Sequence, residues 1–181
     1  MKKVLIDTCV LYPTVAREVL LQVAKAGLFQ PLWSPRILEE WAHAARKIGP
    51  AGQVQAQAEI ALATAAWPNA IVTPKEGDMA RLWLPDENDI HVLAAAIAGS
   101  ADLILTWNAK DFPRHTLHEE GIDRNDPDSF LMKLWLDRTN IVTEAADRIY
   151  AQSRNLENVP KTRRALLKKA RLPRLARALD R

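Results

Sequence analysis

Two short apolar runs in this chain each lead into an acid, and that arrangement restricts the fold more than any other feature. Lys3–Ile6 (KVLI) passes directly into Asp7, and Asp102–Thr106 (DLILT) is followed a few residues later by Asp111. Apolar runs this short and without polar alternation are the pattern of strands buried on both faces in a parallel sheet. Helical segments lie around and between them. Thr14 to Gly27 spaces Val15, Val19, Leu20 and Val23 at helical intervals and ends on a capping glycine. Phe29 to Trp33 is a brief strand. Ser34 and Pro35 then supply the N-cap and first residue of a helix to about Lys47. Gly49-Pro50 breaks the chain before an alanine-rich helix from about Gln53 to Trp67, and Ala70 to Val72 is expected as a weak strand. Ile90 to Ala98 is a helix that Gly99 ends. Strands and helices alternating in this way predict an α/β fold of three layers around a central parallel sheet.

After Pro113 the character changes. Pro127-Asp128-Ser129 opens a helix with Phe130, Leu131, Leu134, Trp135 and Val142 among its apolar residues, and a second helix is expected over about Thr143 to Ser153. Asn155 to Pro160 reads as a joint, and Lys161 to Leu179 as one basic helix with Leu166, Ala170, Leu175 and Leu179 loosely on one face. The chain thus divides into a core domain, 1–125, and a helical C-terminal extension, 126–181, ending in a basic tail.

Composition narrows the class. The single cysteine, Cys9, excludes an internal disulfide framework and a cysteine-cluster zinc site, and the four histidines show no metal-ligand spacing. The longest uncharged run, Ile60 to Pro74, is too short to cross ~30 Å of hydrocarbon and contains two prolines. Met1-Lys2-Lys3 leads into too little apolar sequence for a signal peptide, so a cytoplasmic protein without membrane contact is expected. Lys161 to Arg181 holds nine Lys or Arg against one acid, Asp180, a net of +8 that leaves −5 on the rest of a chain whose total is +3. An acidic body with a basic tail suits a metal-binding carboxylate cluster and a separate polyanion contact.

In open α/β sheets, ligands bind beyond the carboxyl ends of the strands, in the crevice where strand order reverses. Asp7 and Asp111 follow the two buried strands, Asp89 starts the intervening helix, and Glu40 lies mid-way along the Ser34 helix beside Ile37, Leu38 and Trp41. Four carboxylates converging on one cleft repel strongly unless a divalent cation neutralises them, and oxygen-only ligation is what Mg²⁺ or Mn²⁺ prefers. Taken singly, each acid has a plainer reading. Asp89 and Asp86 suit the first turn of a helix, and for Asp86 that reading is preferred. Glu39 and Glu40 suit a solvated helix side, Asp111 a turn before Phe112-Pro113, and Asp102 the start of its strand.

The order and neighbours of the acids decide between these readings. VLIDTCVL, SPRILEEW and DENDIHVLAAAIAGSADLILTWNAKDF, in that order from about Lys3 to Phe112, resemble the motifs of the PIN-domain nucleases, particularly the VapC-like toxins of bacterial toxin–antitoxin pairs. The resemblance implies metal-dependent hydrolysis of RNA phosphodiester bonds by an endoribonuclease that leaves a 5′-phosphate. It implies Asp7, Glu40, Asp89 and Asp111 as catalytic metal ligands, with Mg²⁺ or Mn²⁺ as cofactor. Family members place the last acid at either of two positions; here these are Asn108 and Asp111, so Asp111 is the acid and Asn108 a helper offering a neutral oxygen. Thr8 and Thr106 are expected to orient carboxylates or water. Cys9 stands where the family often has Asn or Ser. A homodimer and a small antitoxin partner, covering the acidic cleft with an arginine aimed at the carboxylates, are further implications. The basic extension departs from the common short toxins, and the motifs stop before it.

Lys161, Arg163, Arg164, Lys168 and Lys169 in the tail are expected to contact RNA phosphates, ahead of docking on an acidic partner or a solvated helix of no specific role. Of the six tryptophans, Trp107 lies beside the acids and suits base stacking, while core or interface packing is the reading for the others. Three other functions compete. A catalytically silent RNA-binding or scaffold PIN protein would lack several of the acids. A haloacid dehalogenase-type phosphatase needs Asp-x-Asp, which Asp7-Thr8-Cys9 is not. A receiver-type phospho-acceptor needs an acidic pair and a late lysine, and neither arrangement is found.

Overall fold

The structure, a computed structural model, describes residues 1–154 and 159–180, so most of the segment read as a joint lies outside the described residues. The chain begins with β1 (Lys3–Ile6), α1 (Thr8–Leu11), α2 (Thr14–Lys25), β2 (Gln30–Leu32), α3 (Pro35–Ala45) and α4 (Pro50–Ala66). It continues through α5 (Glu76–Arg81), α6 (Ile90–Ala98), β3 (Leu103–Leu105), α7 (Arg114–Glu119) and β4 (Asp123–Asn125). The last helices are α8 (Pro127–Asp137), α9 (Thr139–Ser153), α10 (Arg163–Lys169) and α11 (Pro173–Ala178). Two compact units result: Met1–Tyr12 with Phe29–Asn125, and Pro13–Leu28 with Asp126–Arg181.

The first unit is the α/β part. Its four strands are all parallel, in the order β2-β1-β3-β4. Val4, Leu5, Ile6, Ile104 and Leu105 are buried, as the unbroken apolar runs require. The chain goes from β1 to β2 on one side, then returns past β1 to β3 on the other. The carboxyl ends of β1 and β3 therefore flank the point where strand order reverses. Ile6 lies opposite Leu105 across that boundary, and the Asp7 N–H donates to the Leu105 carbonyl at 3.1 Å. The residues just beyond both central strands are thereby fixed side by side.

Two strand assignments differ from the sequence reading. The edge strand β4 reads Asp-Arg-Asn and has no apolar signal, yet it pairs with β3 over its whole length. Ala70 to Val72 forms only a single parallel bridge, between Trp33 and Ile71. Ser34 Oγ accepts the Ile37 N–H at 3.2 Å, with Pro35 in the first turn. At the end of α6 the left-handed residue is Ser100 (φ 51), not Gly99. The Ala101 N–H reaches back to the Ala96 carbonyl at 2.8 Å, the closing bond of a Schellman cap. Gly99 is instead a point of close approach, where a Cβ would lie 2.7 Å from Leu32 Cδ1 and 3.0 Å from Val72 Cγ1 and would oblige those side chains to shift.

The second unit is helical and comprises α2 and α8 to α11. Two expectations are corrected here. Arg138 (φ −141, ψ 59) ends α8 one residue after Asp137, so Val142 belongs to α9. The basic stretch is two short helices rather than one. Arg171 (φ 62) takes the left-handed position after α10, and Pro173, which cannot continue a helix, starts α11. Leu166, Leu167, Leu172, Leu175 and Ala176 supply the buried face of this pair. Asp128, buried at 5% exposure, accepts the backbone N–H groups of Arg174 (2.9 Å) and Leu175 (3.0 Å) and so caps α11. Asp128→Ala removes two charge-assisted hydrogen bonds at once. It is expected to lower stability by about 2 kcal/mol, read as a shift in the denaturant midpoint.

Candidate metal centre

The acids of the first unit are delivered by two short 3-10 turns at the sheet's carboxyl edge. Asp86 caps the turn Glu87–Asp89, accepting the Asn88 backbone N–H at 2.9 Å, and Asp89 ends that turn and leads into α6. Asp111 ends the second turn, Ala109–Asp111, just beyond β3. Carboxylate oxygens of Asp86, Asp89 and Asp111 all lie within 4.8 Å of one another. The Asn108 side-chain amide sits between two of them, donating to Asp89 Oδ2 at 3.5 Å and, in a closer contact, to Asp111 Oδ2. Asn108 thus presents its nitrogen to the acids, where an oxygen had been expected. The Asp89 carboxyl is pushed up to about 6, first by burial and then by the charges of Asp7, Asp86 and Asp111.

Asp7 is buried, and its carboxylate is clamped from one side. Its Oδ2 accepts from Thr106 Oγ1 at 2.7 Å and from the Cys9 thiol at 3.1 Å. Thr106 Oγ1 in turn accepts the Asn108 N–H at 2.9 Å, so one hydroxyl links the acid after β1 to the turn that carries Asp111. Burial, then the charge of Asp7, pushes the Cys9 thiol up to about 12, which keeps it protonated and donating. A thiol therefore makes the hydrogen bond at this position, where the resemblance has Asn or Ser.

Glu40 stands apart from the three-carboxylate group. Its Oε2 accepts from Thr8 Oγ1 at 2.9 Å, while its Oε1 meets His91 Nε2 at 2.9 Å and Arg36 Nε at 3.2 Å. Burial alone raises the Glu40 carboxyl. The hydrogen bond and charge of His91 outweigh it, with help from Thr8 and Arg36, and hold Glu40 below its ordinary range. The sequence reading missed His91. The available signal was a lone polar residue in IHVLAAAIA, a helix buried nearly all round, where a polar group requires a partner. It also set Asp86 aside, although the three-residue spacing to Asp89 places both acids on one side of a turn.

The remaining site residues of the sequence reading lie in the second unit. Arg163 pairs with Asp147, and Arg164 Nη1 donates to Asp180 Oδ2 at 2.6 Å. The Lys161 carbonyl accepts from the Tyr150 hydroxyl at 2.6 Å, and Lys168 and Lys169 are exposed in the last turn of α10. Among the tryptophans, Trp33 and Trp41 are buried and Trp107 is half-buried, but Trp83 is 62% exposed and takes no part in the core.

Three carboxylates within 4.8 Å, with Asp7 close enough to raise Asp89, form an oxygen-only donor set of the kind that hard divalent cations select. The donors therefore fit such an ion. The family model of the PIN domain matches residues 3–110, and the chain belongs to that family, whose domains are generally metal-dependent nucleases. Comparison with curated proteins and with solved structures gave no match. No helix among the described residues is long and apolar enough to cross a membrane.

The crowding of acids has a thermodynamic consequence. A carboxyl raised in the folded state contributes stability below its unfolded value, about 3.9, and loses it as pH rises through about 6. Metal-free Asp89→Asn is therefore expected to melt about 2–4 °C above the wild type at pH 8, roughly 1 kcal/mol after solvent screening. The difference should vanish toward pH 4. Thermal melts in EDTA across that range check it.

Proposed function

We propose that this protein is a Mg²⁺- or Mn²⁺-dependent endoribonuclease and the toxin of a toxin–antitoxin pair. The observation that carries the reading is the gathering of Asp86, Asp89 and Asp111, with Asp7 near enough to raise Asp89, in the first unit of a PIN domain. A bound divalent cation supplies charge for a phosphoryl oxygen and an activated water. Asp89 and Asp111 hold the ion, joined by Asp86, whose carboxylate belongs to the same group. Asp7 contributes Oδ1, since both of its hydrogen bonds from side chains go to Oδ2. Thr106 and Asn108 keep these acids in place at distances where they would otherwise spread apart. Glu40, kept ionised by His91, Arg36 and Thr8, orients the attacking water, and no protein nucleophile is required.

In this reading residues 1–125 cut RNA and residues 126–181 grip it. Lys161, Lys168 and Lys169 are the stronger phosphate contacts of the tail, because Arg163 and Arg164 already face Asp147 and Asp180. The small antitoxin covers the acidic cleft, the protein acts in the cytoplasm, and the nuclease is a homodimer. A catalytically silent RNA-binding role is the weaker reading, because the acids that such proteins lack are all present. Cleavage of a mixed RNA pool with Mn²⁺ tests the enzyme. EDTA should abolish cutting, and Asp7→Asn and Asp89→Asn should each lower it by on the order of 100-fold. Cutting that survives both EDTA and the two substitutions contradicts the proposal.

A further inference from the structure

The first unit also holds a cleft of about 400 Å³ that the proposed chemistry does not use. One wall is the end of α5 and the residues after it, Arg81 to Trp83; the other is α7 and its end, with His115, Glu119 and Glu120. Arg81 ties the walls together. Its Nη1 and Nη2 donate to Glu120 Oε1 (2.5 Å) and Oε2 (2.9 Å), and its Nε donates to Asp78 Oδ1 (3.0 Å). Both walls are joined to the candidate metal centre by short stretches of chain. Trp83 precedes Asp86 by three residues and His115 follows Asp111 by four, so each lies within roughly 14 Å of a cluster acid along the backbone. Buried Leu84 anchors the segment between Trp83 and Asp86.

The polarity of the cleft selects its occupant. Arg81 is the one Lys or Arg among its described lining residues, and its guanidinium is committed to two acids. The Glu119 side chain makes no hydrogen bond or ion pair among the described residues. A phosphate entering the cleft would meet Glu119 and Glu120, with Arg81 already committed and only His115 left as a side chain able to carry positive charge. A neutral planar base meets the exposed indole of Trp83, which offers a stacking face, and a carboxylate acceptor lining the same cleft. Guanine alone among the common bases presents a ring N–H and an exocyclic amino group side by side, two parallel donors matched to one carboxylate.

We propose that this cleft binds an unpaired guanine of the RNA strand, stacked on Trp83 and read by Glu119, a few nucleotides from the phosphate at the acids. The inference rests on the ribonuclease reading, and its test separates the two. In EDTA, anisotropy of a labelled oligouridylate is compared with that of the same strand carrying one internal guanosine. The guanosine should tighten binding by the full-length protein about tenfold. Trp83→Ala should remove that gain, and Glu119→Ala should erase the preference for guanosine over adenosine at the same position. Both side chains are exposed, and circular dichroism verifies that the variants fold. Equal binding of the two strands by the wild type, or a preference retained in Trp83→Ala, overturns the inference. If Mn²⁺-dependent cleavage of mixed RNA persists in that case, only the guanine site falls. Absence of both RNA binding and cleavage overturns the ribonuclease reading with it.

Discussion

Repulsion among carboxylates held at one end of a parallel sheet is the constraint on which the rest of this structure depends. The pairing of β1 with β3 sets Asp7 and Thr106 side by side, and the two 3-10 turns bring in Asp86, Asp89 and Asp111. Left to themselves these groups would separate or take up protons, and the high Asp89 carboxyl, about 6, records that tension. The chain answers with neutral donors. A hydroxyl and a thiol hold Asp7, and an amide stands between Asp89 and Asp111. None of the three carries a positive charge, so the negative field of the site is preserved for a cation.

Glu40 is treated in the opposite way. His91 and Arg36 reach it from two helices, and Thr8 fixes its second oxygen. Within a single unit of the fold one acid, Glu40, is thereby driven down and another, Asp89, up, so the two environments separate what each acid can do. His91 and Asp89 lie two residues apart at the start of α6. A single helix N-terminus thus serves both acids, and a shift of that helix would disturb both.

The apolar strands KVLI and DLILT were readable because burial on both faces leaves no choice of residue, and Asp7 stood out because it follows the first of them directly. β4 was not, since an edge strand of Asp-Arg-Asn is held by backbone bonds to β3 and by little that composition records. The break at Arg171 was hidden because a non-glycine residue took the left-handed position. Asp86 looked like an ordinary cap and is one, but capping uses Oδ1 in bonds to Asn88 and leaves the residue within reach of Asp89 and Asp111. Local pattern assigned it one task where the tertiary fold gives it a place for two. His91 was overlooked because its partner lies far away in sequence, on α3.

The central claim is that the clustered acids bind a divalent cation. The most direct measurement is titration of the metal-free protein with Mn²⁺ at pH 7.5, followed by electron paramagnetic resonance of the free ion. Saturable binding is expected that weakens at least tenfold in both Asp89→Asn and Asp111→Asn, with each variant folded. Binding that is absent in the wild type, or unchanged in both variants, would contradict it.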